Sequence, residues 1–270
     1  MKITAIIILA MGSVVATAQT AVNYADVLPG VVKVNEYLYY DQTEVSNSDW
    51  LEYLQWLEQQ TGDKTSNAYR SALPDTGVWN IGEGTEAPLM RYYLRHPAYA
   101  AYPVVGVTWQ QASEYCAWRT ERVMKQLASS DQASDMPLYF AYRLPIQSEF
   151  ETMYDNTVKL PDRVGAEGKR KLRGSYRYTM KREVEDETNA VEIVSDNADI
   201  TAPVRGIWPN DFGVHHIRGN VAEWLSAANT YAGGSWMDSF DQDVKRVAQS
   251  TAPSAAIGFR CACEVANEAP

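Results

Sequence analysis

Trp50, Tyr53, Leu54 and Leu57 recur at i, i+3, i+4 and i+7, the spacing that lines one face of an α-helix. Ser46-Asn47-Ser48-Asp49 offers an N-cap just ahead of them, and Thr61-Gly62 a stop. A second stripe, Trp109, Ala112, Cys116, Val123 and Leu127, predicts a longer helix. It opens on the capping box Thr108-Trp109-Gln110-Gln111, runs to about Leu127 and ends at Ser129-Ser130-Asp131-Gln132. Val34 to Tyr40 reads as a strand, with Val34, Tyr37 and Tyr39 facing inward.

Between these elements the pattern is irregular. Tyr102 to Val107 is a short apolar strand or extended segment, and turn signals stand at Pro74-Asp75-Thr76-Gly77 and Gly82-Glu83-Gly84. Arg143-Leu144-Pro145 precedes a short helix carrying Ser148, Glu149 and Phe150, since proline suits the first turn of a helix. Residues 169–182 hold seven basic side chains and residues 183–187 four acidic ones, which reads either as a docking loop or as a solvated, self-compensating one. With few long periodic segments, no internal repeat and no linker, the expected class is α+β, a single loop-rich domain.

The N-terminus changes the picture. One lysine, an apolar run from Ile3 to Val15 and an Ala16-Thr17-Ala18 site predict a secretory signal peptide over residues 1–18, leaving 19–270 as the domain. The run is too short for a comfortable membrane span, and no cysteine stands near the cleavage site to take a lipid. The expectation is therefore an exported protein, periplasmic or secreted, with no membrane span. A net charge of −10 argues against nucleic acid as partner, because phosphate binding needs a basic surface. Seventeen tyrosines and eight tryptophans suit an irregular core knitted by side-chain hydrogen bonds. The three cysteines, Cys116, Cys261 and Cys263, allow one disulfide and leave one thiol over, and their order alone does not choose the pair.

Three blocks near the C-terminus are the most telling: Gly219-Asn220-Val221-Ala222-Glu223-Trp224, Gly233-Gly234-Ser235-Trp236 and Gly258-Phe259-Arg260-Cys261. Upstream, Asp41-Gln42-Thr43-Glu44-Val45-Ser46-Asn47, His96-Pro97-Ala98-Tyr99 with Tyr102 to Trp109, Tyr115-Cys116-Ala117-Trp118-Arg119 and Arg143-Leu144-Pro145 stand in matching order. Together they resemble the formylglycine-generating, sulfatase-modifying-factor family. The resemblance implies a compact domain of C-type-lectin-related topology, often calcium-stabilised, with a disulfide between Cys116 and Cys261. The wording of His96 to Val107 and of the Cys116 helix is similar to a gliding-motility branch tied to type IX secretion, whose members are structural or assembly components.

Enzymes of this family carry two cysteines just after the Gly-Gly-Ser-aromatic block, which hold copper and oxidise a substrate cysteine. Here the former oxidase positions read Ser235, Asp238 and Asp243, and Ala222 stands where active members usually have tryptophan. Thiolates suit soft Cu(I) and carboxylates do not, so copper is not expected and no residue is assigned a catalytic role. The resemblance also implies a calcium site from His216, the carbonyls of Gly219 and Val221, and Glu223, and a second from Asp196 and the carbonyl of Ala198. His216 brings a nitrogen to a cation that prefers oxygen. The reading is a non-catalytic exported scaffold or binding module of the cell envelope, with an envelope protein as partner. Two alternatives stand beside it: a metal-dependent enzyme using Asp238, Asp241 and Asp243, and a lectin-like receptor for a glycan or protein.

Overall fold

The computed structural model describes residues 24–81, 87–129, 139–156, 199–207, 209–238 and 245–266. Within these, strands Val31–Lys33 (β1) and Leu38–Asp41 (β2) lead into helices Asn47–Thr61 (α1), Asn67–Ser71 (α2), Ala87–Tyr92 (α3) and Trp109–Ala128 (α4). Strand Tyr139–Arg143 (β3) and helix Gln147–Asp155 (α5) follow. The C-terminal part carries strands Ala222–Trp224 (β4), Thr230–Ala232 (β5), Ala248–Gln249 (β6), Ile257–Gly258 (β7) and Ala262–Ala266 (β8). One antiparallel sheet has the order β1-β2-β8-β3, and a second, β6-β5-β4-β7, pairs β4 with β7 in parallel. This is an α+β domain with long irregular connections.

The two periodic helices form where their caps demand. Ser46 accepts from the Asp49 amide while Asp49 accepts from the Ser46 amide, a reciprocal box, and Gly62 closes α1 in the left-handed region at φ 71°. Thr108 and Gln111 cap α4 in the same way. Helix α5 starts two residues after Pro145 and not at it, because the Glu149 carboxylate accepts the Ile146 amide at 3.0 Å and sets the first turn there.

The expected strand over Val34 to Tyr40 is a hairpin instead. The Asn35 side chain accepts from the amides of Tyr37 and Leu38, both at 2.9 Å, and this turn interrupts the strand. Tyr37 is consequently 63% exposed, opposite to its expected inward position, while Tyr39 is fully buried. Tyr102 to Val107 is extended and makes an isolated bridge, Ser46 to Pro103, with further backbone bonds from Val104 to Val45 and from Gly106 to Ser254. The face of α1 packs on α4 through aromatics: Trp50 stacks on Tyr115 at 5.5 Å between centroids, and Phe259 meets both edge-on at 5.9 and 5.4 Å. Each such pair adds about 0.5–1.5 kcal/mol beyond burial. That packing buries the 259–261 segment, which joins β7 of one sheet to β8 of the other.

Candidate functional site

The loop from Gly219 to Trp224 owes its path to backbone that few residues adopt. His216, Gly219 and Asn220 have φ of 49°, 80° and 60°, and Gly219 supplies the conformation at no steric cost. Asn220 tolerates it because its side chain is fully employed: Oδ1 accepts the Ala202 amide at 2.7 Å, and Nδ2 donates to Glu44 Oε1 at 2.9 Å and to the Ala202 carbonyl at 3.2 Å. The Gly219 amide donates to the Gly233 carbonyl and the Trp236 amide to the Asn220 carbonyl, both at 2.9 Å, so the two glycine-containing blocks are tied together. Trp224 and Trp236 lock the outer ends through indole bonds to the carbonyls of Val107 and Ala255, each 3.0 Å.

β4 then points Glu223 into the core, against Arg260. Arg260 is fully buried, and its guanidinium grips Glu223 with two bonds, Nε to Oε2 at 2.8 Å and Nη2 to Oε1 at 2.6 Å. Further donations go to the carbonyls of His215 at 2.8 Å and Asp41 at 3.2 Å. Glu44 lies beside the pair, with Oε2 4.0 Å from Arg260 Nη2, too long for a hydrogen bond. Burial pushes the Glu44 carboxyl up to about 8, with Arg260 pulling the other way, and burial likewise raises Glu223 against the same guanidinium. The His216 imidazole is driven down to about 3, first by burial and then by Arg260, so it is neutral; its Nε2 donates to the Pro203 carbonyl at 3.1 Å.

These donors do not fit calcium. Both oxygens of Glu223 are spent on a guanidinium, which already supplies a full positive charge at a site closed to solvent. His216 faces a carbonyl with its Nε2–H and offers only a nitrogen. Among the described residues no group of three or more His, Cys, Asp or Glu could hold a metal ion. Asp196 and Ala198, assigned to the second calcium site, lie outside the described residues, as do Asp241, Asp243, the basic loop at 169–187 and the signal segment.

At the former oxidase positions, Ser235 is fully buried and Asp238 closes back on it. Asp238 Oδ2 accepts the Ser235 hydroxyl at 2.6 Å and the Ser235 amide at 2.8 Å. The carboxylate is thus a turn cap. Cys116 on α4 and Cys261 face one another as buried thiols with their sulfurs 2.9 Å apart, and burial raises the Cys116 thiol. Cys263 is buried on β8, paired in register with Tyr39 and Tyr142.

Alongside this network opens a cleft of about 540 Å³, between the start of α1, one face of α4 and the loop at 203–205. Asp41 and Glu44 form its buried end; Asp49, Glu52, Arg122 and Arg205 line its exposed part. Arg119 pairs with Asp41 Oδ2 at 2.7 Å, and the Cys261 amide donates to the same oxygen at 2.8 Å. Three buried polar atoms of lining residues have no hydrogen-bond partner: Asp41 Oδ1, Glu44 Oε2 and Trp118 Nε1. Leaving such a group unpaired costs about 1–3 kcal/mol. Asp41, Glu44, Arg119 and Arg260 carry this site, and none was singled out by residue pattern. The available signal was a charge set inside an apolar run, Arg260 after Phe259 and Glu223 after Ala222, because a buried charge requires a partner.

The profile of the sulfatase-modifying factor enzyme 1-like domain matches residues 2–265. A curated relative, inactive C-alpha-formylglycine-generating enzyme 2 of Bos taurus, is 26% identical over 203 residues, covering 65% of this chain and 57% of its own length. The chain thus spans little more than half of that relative. Among solved structures, PvdO from Pseudomonas aeruginosa aligns at 17% identity over 84% of this chain and 80% of its own, with a TM-score of 0.48. CarF aligns at 17% identity over 84% and 86%, with a TM-score of 0.45.

Proposed function

We propose that this chain, which belongs to the sulfatase-modifying factor enzyme 1-like domain family, is a non-catalytic binding module that uses the family fold as a rigid scaffold. The observation that carries the reading is Asp238, whose carboxylate is tied through Oδ2 to both the hydroxyl and the amide of Ser235. The three cysteines of the chain stand at 116, 261 and 263, so no thiol is available at 238 or 243 to bind soft copper. The name of the bovine relative describes an inactive enzyme, in keeping with this assignment.

The module works outside the cytoplasm, in the periplasm or beyond it, as a scaffold of gliding or type IX secretion machinery, with an envelope protein as its partner. The signal segment and the wording of residues 96–107 support this. In that oxidising compartment the facing sulfurs of Cys116 and Cys261 close into a disulfide. The test combines elemental analysis of the purified protein with oxygen consumption on a cysteine-containing sulfatase peptide. Neither copper nor turnover is expected; stoichiometric copper together with turnover would overturn the assignment.

A further inference from the structure

We propose that the cleft between α1 and α4 binds a primary ammonium group presented by a peptide, as a lysine side chain or a free amino terminus. This rests on the reading of the chain as a binding module and supplies the chemistry of its ligand. Two buried carboxylate oxygens among the lining residues, Asp41 Oδ1 and Glu44 Oε2, accept no hydrogen bond, and one buried donor, Trp118 Nε1, makes none. With Glu44 ionised the deficit is therefore two acceptors and one donor. An ammonium brings three N–H donors and no acceptor, and a peptide carbonyl next to it brings the acceptor that an indole N–H lacks. Tyr115 and Trp118 add aromatic wall for the carbon stem.

A divalent cation fits less well. It wants six or more oxygens, and the Arg119 and Arg260 guanidiniums, 2.7 Å from Asp41 and 4.0 Å from Glu44, oppose a double charge there. A single charge on a flexible stem meets the same carboxylates at lower cost. The chain's net charge of −10 draws basic segments toward it. An arriving ammonium also takes the place of the proton that burial keeps on Glu44, a group faced by Arg260, Glu223, Asn220 and the Tyr93 ring. Binding then releases a proton and tightens as pH rises toward about 8.

The experiment is calorimetric titration of the full chain with Nα-acetyl-lysine methylamide, with the norleucine analogue as its uncharged counterpart, and with glycyl-glycinamide as the free amino terminus. The charged ligands should bind at least tenfold more tightly than norleucine, and the stronger of the two identifies the source of the ammonium. Glu44→Gln should remove that preference and its pH dependence. Should this variant not fold, Thr43→Lys, which tethers an ammonium in the cleft, should abolish binding while raising the melting temperature. Equal binding of the norleucine compound, or binding unchanged in Thr43→Lys, overturns the proposal. Neither result touches the non-catalytic assignment, which stands or falls on copper and turnover.

Discussion

Replacing Arg260 by methionine keeps the apolar stem of the side chain and removes the charge that holds the centre of the molecule. Four hydrogen bonds disappear, two to Glu223 and one each to the carbonyls of His215 and Asp41. Glu223, 1% exposed, is left without its cation, and Glu44 loses the guanidinium 4.0 Å from it. Breaking a buried pair from one side costs roughly 3–5 kcal/mol, a large share of the 5–15 kcal/mol that holds a typical domain. Urea unfolding followed by tryptophan fluorescence and far-ultraviolet circular dichroism reads this as a fall in midpoint at unchanged slope. The loss should shrink as pH falls, because Glu223 can then take a proton and shed its unpaired charge. Combining Arg260→Met with Glu223→Leu should recover much of it, since neither charge is then orphaned. Wild-type melting should be the same in EDTA and in millimolar calcium. A cost below about 1 kcal/mol, strict additivity of the two substitutions, or a large calcium-dependent rise in melting temperature would refute the account of Arg260 as the cation of this site.

Glu44 makes stability fall with rising pH. Below its ordinary value of 4.5 both states are protonated; between there and about 8 the unfolded chain ionises while the folded chain keeps its proton. The expected slope is a loss of about 1.4 kcal/mol per pH unit, absent in Glu44→Gln and measurable by denaturation at a series of pH values. Asp238→Ala removes two bonds to Ser235 and should cost about 1–3 kcal/mol, read by thermal melting. Gly106, at φ +74° with the Asp75 carbonyl oxygen where a β-carbon would sit, should not accept alanine without a loss on the order of 1–3 kcal/mol. Protein secreted into an oxidising medium should show one intramolecular disulfide between Cys116 and Cys261 by peptide mapping. The 145-residue separation makes it worth on the order of 5 kcal/mol against the reduced form.

Helices α1 and α4 were legible in the sequence because everything that forms them is local: a periodic apolar face, a reciprocal cap three residues long and a polar or glycine stop, Gly62 for α1 and Ser129 for α4. The α+β class and the family were legible too, from short blocks in a fixed order. Asn35 shows where local reading falls short, since a single side chain accepting two amides turned one expected strand into a hairpin and put Tyr37 in solvent. The site itself was decided by tertiary structure. Arg260 bonds Asp41 across 219 residues and Glu223 across 37, and Asn220 reaches Glu44 across 176. Those contacts follow from the register of β2 on β8 and the parallel pairing of β4 with β7, which no local pattern encodes. Sequence could name Glu223 as a charged residue in an apolar run that must have a partner. Only the burial of the segment that joins the two sheets made that partner a guanidinium and left two carboxylate oxygens unpaired among the residues of the adjoining cleft.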